Sequence, residues 1–64
     1  MIRIVGRQSR SEKLEQSCSV GEVMERLGIS DERFVYLLNG TPVTRDVIVS
    51  PDQDLLFLEI FSGG

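Results

Sequence analysis

The sequence predicts an α+β fold: one short amphipathic helix set among strand-like segments that must share a single sheet. Val20, Val23, Met24 and Leu27 fall at i, i+3, i+4 and i+7, which gathers them into one apolar stripe. Ile2-Arg3-Ile4 alternates apolar and polar, and the runs 34–38 and 55–61 have the composition of strands. The chain has 64 residues, a length at which only about 60% of the unfolded surface is buried on folding. That leaves room for one thin core in one domain spanning 1–64, and one helix with one apolar stripe needs one sheet to cover it.

The elements follow in order. Ile2-Arg3-Ile4 opens as a half-buried strand. Residues 6–12 are polar with Gly and Ser and read as a turn, after which Leu14, Gln16 and Cys18 alternate with Lys13, Glu15 and Ser17 as the second arm of a hairpin. Ser19 and Glu22 have the spacing of a capping box, with Cys18 and Val23 placed to close a hydrophobic staple over it. The helix runs over 20–27, and Gly28 supplies the left-handed residue that ends it. Phe34 to Leu38 is a strand stopped by the turn pair Asn39-Gly40. Thr41-Pro42-Val43 restarts a short segment, and Pro42, which donates no backbone hydrogen bond, confines it to an edge or a bend. Residues 47–49 form a further short strand, residues 51–54 turn, and 55–61 is the last and longest strand, with Ser62-Gly63-Gly64 trailing from it.

Composition narrows the chemistry. The net charge is −3, and the seven basic residues are scattered rather than gathered into the stripe that a phosphate backbone rewards. Nucleic acid is therefore not expected as a partner. Apolar runs stay far below the ~20 residues of a membrane helix, so no membrane is expected and the location reads as cytoplasmic. There is no His, which removes every imidazole base and every Ser-His or Cys-His dyad. Carboxylates do not cluster in metal-ligand spacing, and Asp52 with Asp54 reads as turn chemistry. No catalytic residue, no metal and no bound cofactor is expected, and the chain is not expected to be an enzyme. The single cysteine, Cys18, can form no intrachain disulfide and reads as a small core residue.

The strand-strand-helix-strand-short strand-strand order, the short capped helix and the terminal Gly-Gly resemble the β-grasp family. Matching segments are Ser19-Val20 at the helix start, Leu38-Asn39-Gly40-Thr41-Pro42-Val43, and Pro51-Asp52-Gln53-Asp54 before the last strand. In length and layout the chain is similar to the sulfur carriers of thiamine and molybdopterin synthesis and to small archaeal modifier proteins. The resemblance covers essentially the whole chain and implies a ubiquitin-like fold, a mixed four- to five-stranded sheet packed on one helix, with 62–64 as a flexible tail.

It also implies a function. In such carriers the terminal glycine is adenylated by an E1-like enzyme that uses ATP. It then becomes a thiocarboxylate that donates sulfur to an accepting enzyme or to tRNA thiolation, or is joined to lysines of target proteins. Gly64 would carry the reactive carbonyl, with Gly63 as its slender lead-in; a tail without side chains can thread an enclosed channel. A β-grasp interaction module or enzyme subunit whose tail is never activated is the alternative. By the same resemblance Phe34, Tyr36, Leu38, Leu55 and Phe57 face the helix. Leu37, Leu58 and Ile60 then form an apolar patch on the open face, where a partner enzyme would dock. Lys13 is the only lysine, so self-modification has only Lys13 and the α-amine of Met1 as acceptors.

Overall fold

The sheet is built around its two most distant segments. In the computed structural model, which describes residues 1–30 and 32–60, the first strand β1 (Ile2–Val5) and the last strand, here β7 (Leu55–Glu59), run parallel side by side. Between them in sequence come β2 (Arg10–Glu12), β3 (Cys18–Ser19), α1 (Val20–Leu27), β4 (Phe34–Leu38), β5 (Thr41–Pro42) and β6 (Ile48–Val49). The main sheet has five strands in the order β2-β1-β7-β4-β5; every pairing except β1–β7 is antiparallel. β3 and β6 pair separately as a two-stranded ribbon. This is the mixed sheet and single helix of a β-grasp fold.

Alternation decides which side of each strand is dry. Ile2 and Ile4 are buried while Arg3 and Val5 are exposed, and Leu55 and Phe57 are wholly buried in β7. They meet Val20, Val23 and Met24 of α1, together with Leu14, Cys18 and Val49, in one core. Phe34, Tyr36 and Leu38 pack against the same cluster from β4. Tyr36 lies directly across from Phe57, with ring centroids 5.8 Å apart at 66°, the edge-on arrangement aromatic pairs favour.

The helix has the limits its sequence predicts because both ends are closed. The first N–H groups of a helix lack intrahelical partners. Here Val20 N–H donates to Val47 O at 2.9 Å, Gly21 N–H to Arg45 O at 2.9 Å, and Glu22 N–H to the Ser19 hydroxyl at 3.2 Å. At the other end Gly28 is left-handed (φ 67°), its N–H bonds Glu25 O, and Ile29 N–H bonds Met24 O at 2.9 Å. Those two bonds complete a Schellman motif. The β4–β5 hairpin turns on Asn39 (φ 50°) and Gly40 (φ 84°), both positive as a type I′ turn requires.

The second strand departs from the sequence reading. Residues 10–12, read there as part of a turn, form β2, and residues 14–17 form no strand. The alternation over 13–18 misleads: Leu14 and Cys18 are buried, but Gln16, expected beside them, is exposed. Leu14 enters the core from a loop, and Cys18 does so from the β3–β6 ribbon, so the two share no strand face. The last strand ends at Glu59 rather than at 61, and Phe61 with the tail 62–64 lies outside the described residues.

Candidate functional site

The site is the end of β7. As the central strand, β7 is held on both edges up to its final residues: Leu58 pairs with Val5 on one side and with Val35 on the other, and Glu59 stands opposite Phe34. Two contacts then fix the root of the tail. Ile60 N–H donates to Arg33 O at 2.6 Å, and the Glu59 carboxylate accepts Arg7 N–H at 2.9 Å. The second contact needs a glycine beside it, since a Cβ on Gly6 would lie 2.6 Å from the Glu59 Cβ. Gly63 and Gly64, the residues expected to carry the chemistry, lie outside the described residues.

The outer face of the sheet beside this root is apolar. Leu58 is 39% exposed and Ile60 52%, flanked in the same row by Val5 at 43% and Val35 at 39%. One row further back, Leu56 and Leu37 are half-buried and paired, with Pro42 opposite Leu37 and Arg3 opposite Leu56. The structure thus brings Leu37, Leu58 and Ile60 onto one surface and adds Val5, Val35 and Leu56, which the sequence reading did not single out. Val35 was accessible from the alternation of β4. Val5 was not, because its place depends on β1 pairing in parallel with a strand more than fifty residues away.

On the helix side of the root, Arg7 and Arg10 border a groove of about 290 Å³ with Leu27, Ile29 and Phe34 in its wall. The shifted carboxylates are elsewhere. Asp46 and Asp52 are held below the ordinary carboxylate range, chiefly because the hydroxyls of Thr44 and Ser50 donate to them. Cys18 is 7% exposed and packs in the core. Lys13 is exposed and lies beyond β2, at the far end of the sheet from the tail root. Among the described residues no group of three or more His, Cys, Asp or Glu side chains could hold a metal, and no helix is long and apolar enough to cross a membrane.

The β-grasp sheet and single helix agree with the match to known families: the chain matches the ThiS family over residues 1–64. The chain belongs to the ThiS family. No curated protein matches it closely enough to stand as a relative. ThiS-type proteins are sulfur carriers, and they work with an activating enzyme and a sulfur-accepting enzyme. In this ThiS-family chain the apolar surface around Leu58 lies beside Glu59 and Ile60, which are held by Arg7 and Arg33.

Proposed function

We propose that Gly64 is the group that carries sulfur, and that the apolar face around Leu58 docks the enzymes that act on it. A carboxylate is inert to nucleophiles at neutral pH until one oxygen becomes a good leaving group. An E1-like partner with ATP supplies this: the Gly64 carboxylate attacks the α-phosphate, pyrophosphate leaves, and an acyl adenylate forms. A sulfide-level nucleophile then attacks the carbonyl, AMP departs, and a thiocarboxylate remains. An amine attacking the same activated carbonyl gives an amide instead, which is the route to lysines of target proteins. The chain itself provides no general base for either step; its contribution is position.

The observation that carries this reading is the tail root. Ile60 is tied to Arg33, just before β4, and Glu59 to Arg7 in the β1–β2 turn, so the chain is held at a fixed point beside the apolar patch where the tail begins. A partner bound to Leu58, Ile60, Val5 and Val35 therefore holds the start of the tail close to its own active site, which turns binding energy into proximity of the reacting carbonyl. Leu37 lies at the back of that patch, opposite Leu56 in the ladder.

The test is ATP–pyrophosphate exchange with the native activating enzyme, followed by intact mass of the product. Exchange that disappears when Gly64 is deleted, with one terminal oxygen replaced by sulfur in the intact protein, is the expected result. A Gly-Gly remnant on lysines of other proteins would add conjugation. Leu58→Asp is expected to lower kcat/KM about 30-fold, mostly through KM, the loss of an interface anchor worth about 2 kcal/mol. A terminus that stays a free carboxylate with enzyme and ATP present sinks the reading and leaves a passive interaction module.

A further inference from the structure

The main sheet has two edges, and they differ in what they offer a further strand. β5 is an edge of two residues, and Pro42 takes away one of its N–H donors. β2, at the other edge, is Arg10-Ser11-Glu12; all three residues are exposed, and among the described residues no strand pairs with its outer side. Alternate residues of such a strand turn N–H and C=O away from the sheet, so β2 presents backbone donors and acceptors to an incoming strand.

Charge on an edge strand commonly keeps other strands away. On β2 it selects one strand instead. In chain direction the segment is basic, neutral, acidic; reversed, it is acidic, neutral, basic. Two copies aligned antiparallel about Ser11 therefore set Arg10 of each against Glu12 of the other, with Ser11 opposite Ser11. Within one copy Arg10 stands across from Ile4 and Glu12 across from Ile2, so both side chains lie on the helix side of the sheet. Residues directly opposed in an antiparallel pair have Cβ atoms about 4.5–5.5 Å apart, close enough for opposite charges to attract. Neither side chain has a hydrogen bond or ion pair among the described residues, so both charges are available.

We infer that β2 is a self-complementary edge through which two copies of the chain join, their sheets running on as one across a two-fold axis at Ser11. The partner is a second copy because the segment that matches Arg-Ser-Glu in antiparallel order is that segment itself. A continuous sheet keeps the outer faces of both copies on one side, which leaves both apolar surfaces around Leu58 open. The joint is three residues long in each copy, well short of a standard interface, so the dimer is weak and forms reversibly as concentration rises. It does not involve the tail and is independent of whether Gly64 is activated.

A disulfide trap reads the register. In the joined state the two Ser11 Cα atoms lie about 4.5–5.5 Å apart, inside the ~4.4–6.8 Å that a disulfide spans. The two Ser9 Cα atoms are offset by four positions, at least ~13 Å, which no disulfide bridges. Full-length chains carrying Ser11→Cys are expected to cross-link in a glutathione redox buffer at least tenfold faster than chains carrying Ser9→Cys. The parent, whose Cys18 is buried, should stay uncross-linked. Charge reversal then tests the pairing by sedimentation equilibrium over a concentration series. Arg10→Glu alone and Glu12→Arg alone each set like charges opposite one another and should weaken association at least tenfold. Both substitutions in one chain make the edge self-complementary again and should restore the parent's association, and an equimolar mixture of the two single variants should form a mixed dimer. Equal cross-linking from the two cysteine variants, or a double variant as weak as the singles, overturns the inference. So does a dimer that ignores the β2 charges and is abolished by Leu58→Asp, since its contact would lie on the open apolar face.

Discussion

The two poles of the sheet are secured in different ways. At the pole where β7 begins, the chain closes on itself. Met1 O accepts Leu55 N–H, the Met1 ammonium donates to Gln53 O, and Asn39 and Asp54 exchange two bonds, at 2.8 Å from Asn39 N–H and at 3.0 Å to its side chain. Ser50 adds bonds to Asp52 and Gln53. At the pole where β7 ends, the described contacts to Glu59 and Ile60 outside the sheet ladder are the bond from Arg7 and the bond to Arg33. One end is a knot of turns; the other is a strand pinned at its last residues before the tail. On the proposed function the difference has a use, because the end offered to an enzyme must present its chain while the opposite end keeps the sheet in register.

The largest expected effect breaks the tail pole. Gly6→Ala brings a Cβ against the Glu59 Cβ and pushes the β1–β2 turn away from β7, costing about 1–3 kcal/mol as an overpacked contact. Thermal denaturation reads the loss, and hydrogen exchange at the Ile60 and Arg7 amides should accelerate before that at Leu55. A variant as stable as the parent, with unchanged exchange at those amides, would mean that Glu59 does not pin the tail root.

A somewhat smaller effect breaks the closed pole. Asn39→Ala removes the acceptor of the Asp54 N–H and puts a residue poorly suited to φ 50° into the turn, for an expected loss of about 1–2 kcal/mol. Asn39→Gly keeps the conformation and loses only the side-chain bond, so it should sit between parent and Ala in urea denaturation. Equal losses for Ala and Gly would assign the whole effect to the hydrogen bond.

The smallest effect sharpens the comparison through pH. The carboxyl of Asp52 is held low mainly by the Ser50 hydroxyl, then by its own backbone N–H. A carboxyl whose folded pKa is depressed contributes stability above its ordinary value, and that contribution is lost as pH falls through the lower folded value. Asp52→Asn should therefore lose that contribution at neutral pH, where it is fully present, and flatten the acid side of the stability curve below pH ~4. An unchanged acid limb would show that the Ser50 contact does not persist in solution.

The sequence by itself determined the features whose causes lie within a few residues. The stripe of Val20, Val23, Met24 and Leu27, the Ser19 cap and the Gly28 stop define α1 because helix bonds and caps reach only three or four positions. Asn39-Gly40 announced its own turn by the positive φ that these residues tolerate. Tertiary structure decided everything that depends on which segments meet. The alternation of 13–18 resembled a strand, yet β1 took 10–12 as its partner, since pairing is settled by the whole register and by which side chains the helix can cover. Val5 joined the open patch, and Gly6 came against Glu59, because β1 and β7 lie parallel, a contact between chain segments some fifty residues apart that no local pattern encodes. The same pairing set Met1 and Lys13 level with the start of β7 and Ile60 past its end, which composition could count but not place.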